Sequence, residues 1–184
     1  MSKAYIFLAD GFEEVEALTA VDLLRRAGVD VRMISISDSL EIVGRSRIQV
    51  MADRMFDDRG YDSADLLILP GGMPGTEYLM NHEGLRRLIL EKAAEGRTYL
   101  AAICAAPMIF GRLGLLKGLK ATIYPGMENE LAGADVSEEP VVTDGHFVTS
   151  RGVGTAIPFA LKLIEILGTK EAAKDVADSI VYRA

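Results

Sequence analysis

The chain carries one cysteine in 184 residues, Cys104, and the chemistry legible in the sequence gathers around it. It sits in Tyr99-Leu100-Ala101-Ala102-Ile103-Cys104-Ala105-Ala106-Pro107-Met108-Ile109-Phe110, where an apolar run short enough for a buried strand gives way to a segment of helical character. A strand-to-helix turn at the carboxyl edge of an α/β sheet is where binding and catalytic groups are commonly built. A thiolate placed there is the strongest nucleophile among the ordinary side chains. The competing reading is a structural thiol packed as a small hydrophobe. Position favours the reactive one: exposed N–H groups and the dipole at a helix start predict a thiol pKa below about 8.5. Ala105 and Ala106 are small enough to let a second molecule reach the sulfur.

A cysteine hydrolase usually takes a histidine as base. The two histidines do not suit that role: His82 reads as a helix-start residue, and His146 lies inside a hairpin, away from the carboxyl end of the cysteine strand. A carboxyl is the alternative. Glu13, Glu14 and Glu16 follow the first strand at the same sheet edge, and complementing a helix N-terminus is a sufficient explanation for all three. Glu16 differs in lying a turn inside the helix between apolar neighbours, where a buried carboxyl would hold its proton and donate it to sulfur. Gly71-Gly72 ends another apolar run and reads as a tight turn that also bares backbone N–H groups, an oxyanion hole together with the N–H of Ala105. Gly152-Val153-Gly154-Thr155 does not follow the dinucleotide spacing and reads as a helix-opening turn.

These groups need a frame. Residues 3–9 are nearly continuous in apolar side chains, as a central parallel strand is, and a helix follows from Glu13 with Val15, Leu18, Val21, Leu24 and Ala27 on one face. Residues 30–37 close a βαβ unit. A small hairpin is expected over 40–43 and 48–52, a buried strand over 64–69, a loop with a short helical turn over 73–81, and a helix over 83–94. The cysteine strand covers 98–103 and its helix 107–116; a strand over 120–124 and a short helix over 126–132 follow. Asp144-Gly145 marks a hairpin between 141–143 and 146–149, and helices run from 152 to 167 and from 169 onward. The alternation predicts one domain over 1–184, a three-layer α/β/α sandwich of flavodoxin-like type with a mostly parallel sheet and a small antiparallel hairpin.

Composition narrows the partners. A net charge of -7 argues against nucleic acid and anionic membranes, and no apolar run is long enough to span a bilayer. A lone cysteine suits a reducing, cytoplasmic setting, and one Cys with two His gives little scope for a metal site. No cofactor is expected.

Four blocks in order, Asp10-Gly11-Phe12-Glu13-Glu14-Val15-Glu16, Leu69-Pro70-Gly71-Gly72, Ala101-Ala102-Ile103-Cys104-Ala105-Ala106-Pro107 and Thr149-Ser150-Arg151-Gly152-Val153-Gly154-Thr155, resemble the ThiJ/PfpI superfamily. The similarity spans essentially the whole chain and is strongest to the branch of the parkinsonism-associated protein deglycase. The resemblance implies Cys104 as nucleophile on its elbow, Glu16 as the protonated glutamate bonded to the sulfur, and Gly71, Gly72 and Ala105 as pocket backbone. It also implies a homodimer in which Arg47 approaches the partner's site. Many relatives have a histidine where this chain has Tyr124, a poor base that can still donate a hydrogen bond. The implied activity is a glyoxalase or deglycase acting on small reactive carbonyls or glycated substrates. A redox sensor or chaperone using the same thiol is the alternative, and a peptidase or amidotransferase ranks below both.

Overall fold

The computed structural model describes residues 1–183. In chain order the elements are β1 (Lys3–Leu8), α1 (Glu14–Arg26), β2 (Asp30–Ser35), β3 (Glu41–Val43), β4 (Gln49–Met51), β5 (Arg54–Met55), β6 (Leu66–Leu69), α2 (Gly75–Asn81) and α3 (Glu83–Glu95). They continue as β7 (Tyr99–Ile103), α4 (Pro107–Arg112), β8 (Lys120–Ala121), β9 (Asp135–Val136), β10 (Val141–Asp144), β11 (Phe147–Ser150), α5 (Ala156–Leu167) and α6 (Lys170–Ser179). The central sheet runs β10-β11-β7-β6-β1-β2-β5, parallel throughout except β10, which returns antiparallel to β11.

Period-two alternation in the strands builds the layers. Ala4, Ile6 and Leu8 of β1, Leu66 and Ile68 of β6, and Ala101 and Ile103 of β7 face one core, packed with Ala17, Leu24, Phe159 and Leu163 of α1 and α5. Tyr5, Phe7, Leu67, Leu69, Leu100 and Ala102 face the other, with Leu85, Ile89 and Phe110 of α3 and α4. The expected three-layer sandwich is the one observed.

Several local expectations are corrected. On α1, Val21 and Leu24 of the expected face are buried, but Val15 is exposed, and Glu14 and Glu16 are buried beside Ala17 and Ala20. The short helical turn expected within 73–81 is a seven-residue helix, α2, that fills most of the segment. The helix after Cys104 stops at Arg112, because Gly111 lies against the Glu130 carbonyl and Gly114 turns left-handed. The strand expected over 120–124 contributes only β8, paired with β9 outside the central sheet. Its remaining peptide groups are claimed elsewhere: Thr122 N–H donates to Thr149 Oγ1 and Tyr124 N–H to the Cys104 carbonyl, both at 2.9 Å. Only residues Glu128–Glu130 of the short helix expected over 126–132 are helical, as one 3₁₀ turn.

The β3–β4 hairpin stands off the sheet and is strapped to the β1–α1 loop. Gly11 N–H donates to Val43 O at 2.7 Å, Arg45 N–H to Phe12 O at 2.9 Å, and Ser46 N–H to the buried Glu14 Oε1 at 2.7 Å. Gly44 leaves room for that carboxyl, since a Cβ there would stand 2.2 Å from the same oxygen and push the Glu14 side chain aside.

Candidate functional site

Three adjacent strands, β7, β6 and β1, end at one edge, and each delivers a corner of the site. From β7 comes Cys104, a non-glycine residue held at φ 63. Backbone hydrogen bonds hold it there: Cys104 N–H donates to Ser150 O at 3.0 Å, and its carbonyl accepts from Tyr124. Such left-handed strain costs energy and lifts the side chain clear of the strand. From β6 comes Gly71-Gly72. Gly72 sits at φ 92, and a Cβ on it would lie 2.4 Å from Glu13 N. A Cβ on Gly71 would come within 2.5 Å of Cys104 Cβ, 3.0 Å of its sulfur and 2.7 Å of Glu16 Oε2. Beyond β1 comes Glu16, 1 % exposed, whose Oε2 accepts from Gly71 N–H at 2.9 Å.

Cys104 and Glu16 Oε2 meet over the bare face of Gly71, close enough that each perturbs the other's proton, and the backbone N–H groups of Ala105 and Gly72 act on the thiol as well. Burial pushes the Glu16 carboxyl up to about 7, against the pull of the Gly71 N–H. Burial, and then the charge of Glu16, push the Cys104 thiol up to about 12, while Ala105 and Gly72 pull it down. This corrects the expectation from helix position. The helix α4 is six residues long and begins three residues past the cysteine, so its dipole is outweighed by burial and a neighbouring carboxyl. The two acids titrate as a pair: one proton leaves near 7, the second near 12, and between them one negative charge is shared by sulfur and oxygen. Among the described residues Glu16 Oε1 has no hydrogen-bond partner, a cost to charge on that oxygen.

Replacing Gly71 by alanine is expected to separate this pair. Circular dichroism should show a folded protein, while the rate of Cys104 alkylation changes by about tenfold or more, since one methyl group must enter between thiol and carboxyl. An unchanged rate would mean the geometry does not govern the thiol.

A pocket of about 360 Å³ opens on this pair, walled by Glu13, Arg45, Tyr124, Arg151 and the 152–155 turn. The last is thus both the helix-opening turn expected from sequence and a wall of the site. Tyr124 is half exposed, its ring lying over Gly152. Arg47 is exposed at φ 65 in the hairpin turn and does not line the pocket. Arg45 lines it, with Nη1 3.4 Å from Glu13 Oε2. Sequence reasoning explained Glu13 as a helix-start acid and did not single out Arg45, whose place at the pocket is set by the tie of its N–H to Phe12 O across the chain.

Neither histidine belongs here. His82 Nδ1 accepts from Leu85 N–H at 3.0 Å and caps α3, as its position suggested. The His146 carbonyl accepts from Leu100 N–H, which puts that residue beside the amino end of β7, opposite the cysteine. Among the described residues no group of three or more His, Cys, Asp or Glu is placed to hold a metal ion, and no helix is long and apolar enough to cross a membrane.

Residues 2–166 match the model of the DJ-1/PfpI family. The chain is 40% identical over 159 residues to the protein DJ-1 homolog B of Arabidopsis thaliana, covering 86% of this chain and 36% of that protein, so it spans about a third of that relative's length. It is 30% identical over 167 residues to a deglycase of Pyrococcus abyssi, covering 90% of this chain and 99% of the relative. Among solved structures, oxidized DJ-1 of Toxoplasma gondii superposes with a TM-score of 0.95 at 35% identity, with all of both chains covered.

Proposed function

The chain belongs to the DJ-1/PfpI family, and from that premise we propose that it is a cofactor-independent enzyme acting on small reactive carbonyls or early glycation adducts. The observation that carries this reading is the buried Glu16 carboxyl set against the Cys104 thiol over Gly71, at the pocket where three strands end. With methylglyoxal, the thiolate adds to the aldehyde carbon and the carbonyl electron pair takes the Glu16 proton, giving a hemithioacetal. Developing oxyanion charge is met by the Gly72 and Ala105 N–H groups. Glu16, now a carboxylate, removes the proton from the former aldehyde carbon and returns it to the neighbouring carbon, while the hemithioacetal O–H proton passes to the former ketone oxygen. The product of that shift is a thioester of lactate, which water hydrolyses to free the thiol. The adjacent carbons exchange oxidation levels internally, so the balance needs only water. Tyr124 is assigned a hydrogen bond to substrate oxygen, and no histidine is required.

The relative named a deglycase supports the same chemistry directed at glycated molecules. The test is methylglyoxal loss with stoichiometric lactate formation in buffer lacking nicotinamide, glutathione and added metal. Loss without lactate would reduce the reaction to trapping, and no loss would overturn the reading.

A second reading is favoured by a specific observation: the half-buried thiol has hydrogen-bond donors around it and no second cysteine to resolve a sulfenic acid. Peroxide would then carry Cys104 to sulfinate, a sensor state. The exposed apolar side chains Val15 on α1 and Ile48 and Met51 on the hairpin fit a homodimer face, with Arg47 at its border reaching toward the partner's pocket.

A further inference from the structure

The protein as a whole is acidic, at -7, yet the mouth of the Cys104 pocket is not. It carries two guanidinium groups, Arg45 and Arg151, against one carboxylate outside the Cys–Glu pair, Glu13. Both arginines have donors to spare. Arg45 meets Glu13 through one nitrogen at 3.4 Å, longer than the 2.7–2.9 Å of a charge-assisted bond. Arg151 gives Nη1 to the Glu138 carbonyl at 3.0 Å, a neutral acceptor, and forms no ion pair among the described residues. A guanidinium has five N–H donors in a planar fork matched to carboxylate and phosphate. Methylglyoxal, neutral and with two carbonyl oxygens, would leave these forks unused.

We propose that Arg45 and Arg151 make this pocket selective for aldehydes that also carry an anionic group, the carbonyl meeting Cys104 while the anion takes the guanidinium donors. In the covalent step, sulfur bonds to the aldehyde carbon, the carbonyl electron pair takes the Glu16 proton, and one negative charge passes from sulfur to Glu16. The substrate's own anion is untouched and stays on the arginines. Arg45 exchanges its long contact with Glu13 for the ligand. Arg45 and Arg151 are positioning residues in this scheme. The inference rests on the carbonyl reading only for the nature of the electrophile.

The test compares alkylation of Cys104 by iodoacetate and by iodoacetamide, reagents of nearly equal size that differ in charge. At low ionic strength the iodoacetate-to-iodoacetamide rate ratio should exceed that of N-acetylcysteine amide by about tenfold, and Arg45→Gln or Arg151→Gln should each lower it by about fivefold. A ratio no higher than the free thiol's overturns the proposal, as do substitutions that slow both reagents equally. Protection of Cys104 by glyoxylate, glyceraldehyde 3-phosphate and methylglyoxal, each corrected for its hemithioacetal constant with the free thiol, then separates the sources. Stronger protection by glyoxylate assigns a carboxylate, and stronger protection by the phosphorylated aldehyde assigns a phosphate. Protection by methylglyoxal at least as strong as by both anions sinks the anion selectivity and leaves the carbonyl reading standing. Absence of protection by any aldehyde, with the iodoacetate preference intact, sinks the carbonyl reading and leaves the selectivity.

Discussion

Cys104→Ser is expected to remove lactate formation from methylglyoxal by at least about a thousandfold while leaving the thermal midpoint within a few degrees of wild type. Serine differs by one atom, fits the left-handed turn at φ 63 no worse, and keeps the backbone bonds to Ser150 and Tyr124. What it loses is acidity: an alcohol beside Glu16 does not surrender its proton in the accessible pH range, so the pair holds no nucleophilic charge. The same variant separates the two uses of the thiol. Under graded peroxide, intact mass should show one and then two oxygens added at Cys104 in wild type, and only methionine oxidation in Cys104→Ser. Lactate formed at equal rates by both proteins would end the carbonyl reading. Identical oxidation patterns would end the sensor reading.

Glu16→Gln should cost about a hundredfold or more in lactate formation, because an amide cannot move a proton between adjacent carbons. Its effect on titration is equally specific. In wild type the thiolate absorbance should rise partly near pH 7, when the pair loses its first proton, and finish near 12. In Glu16→Gln one full step should remain, below 12, since the repelling charge is gone. Wild-type activity accordingly rises as pH passes upward through about 7, the singly charged pair being the reactive form. Stability moves the other way. The folded carboxyl titrates at about 7 against an ordinary 4.5, so the folded state is favoured below 4.5 and loses that advantage as pH rises to 7. The loss is on the order of 3 kcal/mol. Glu16→Gln should flatten the wild-type decline in thermal midpoint over that interval. Superimposable pH profiles of the two proteins would show that Glu16 does not share a proton with the thiol.

Strong periodicity made the frame legible. The runs that became β1, β6 and β7 are almost wholly apolar because both their faces are covered, and they could be placed to within one or two residues. The 120–124 stretch misled because its N–H groups are taken by Thr149 and Cys104, partners distant in sequence. Val15 misled because two carboxyls and Ala17 occupy the inward face of the first turn of α1, its larger apolar groups Leu23 and Leu24 being buried nearer the end. Within the site, Cys104, Gly71 and Gly72 announce themselves by residue type and by the elements that precede them. Glu16 was distinguished by its place a turn into the helix. The pKa of the thiol was not legible, since it depends on burial and on a carboxyl 88 residues away, 104 less 16. Nor was the inward turn of Arg45, which the hairpin's tie to Phe12 and Glu14 decides.

That separation along the chain has a kinetic consequence. Because β6 lies between β1 and β7, the thiol and its carboxyl become neighbours only once the middle of the sheet has assembled from widely spaced segments. Contacts so distant in sequence form slowly, after local helices and turns. A nascent or refolding chain therefore passes through a period in which its cysteine is an ordinary free thiol, and the change in alkylation rate marks the moment the sheet closes.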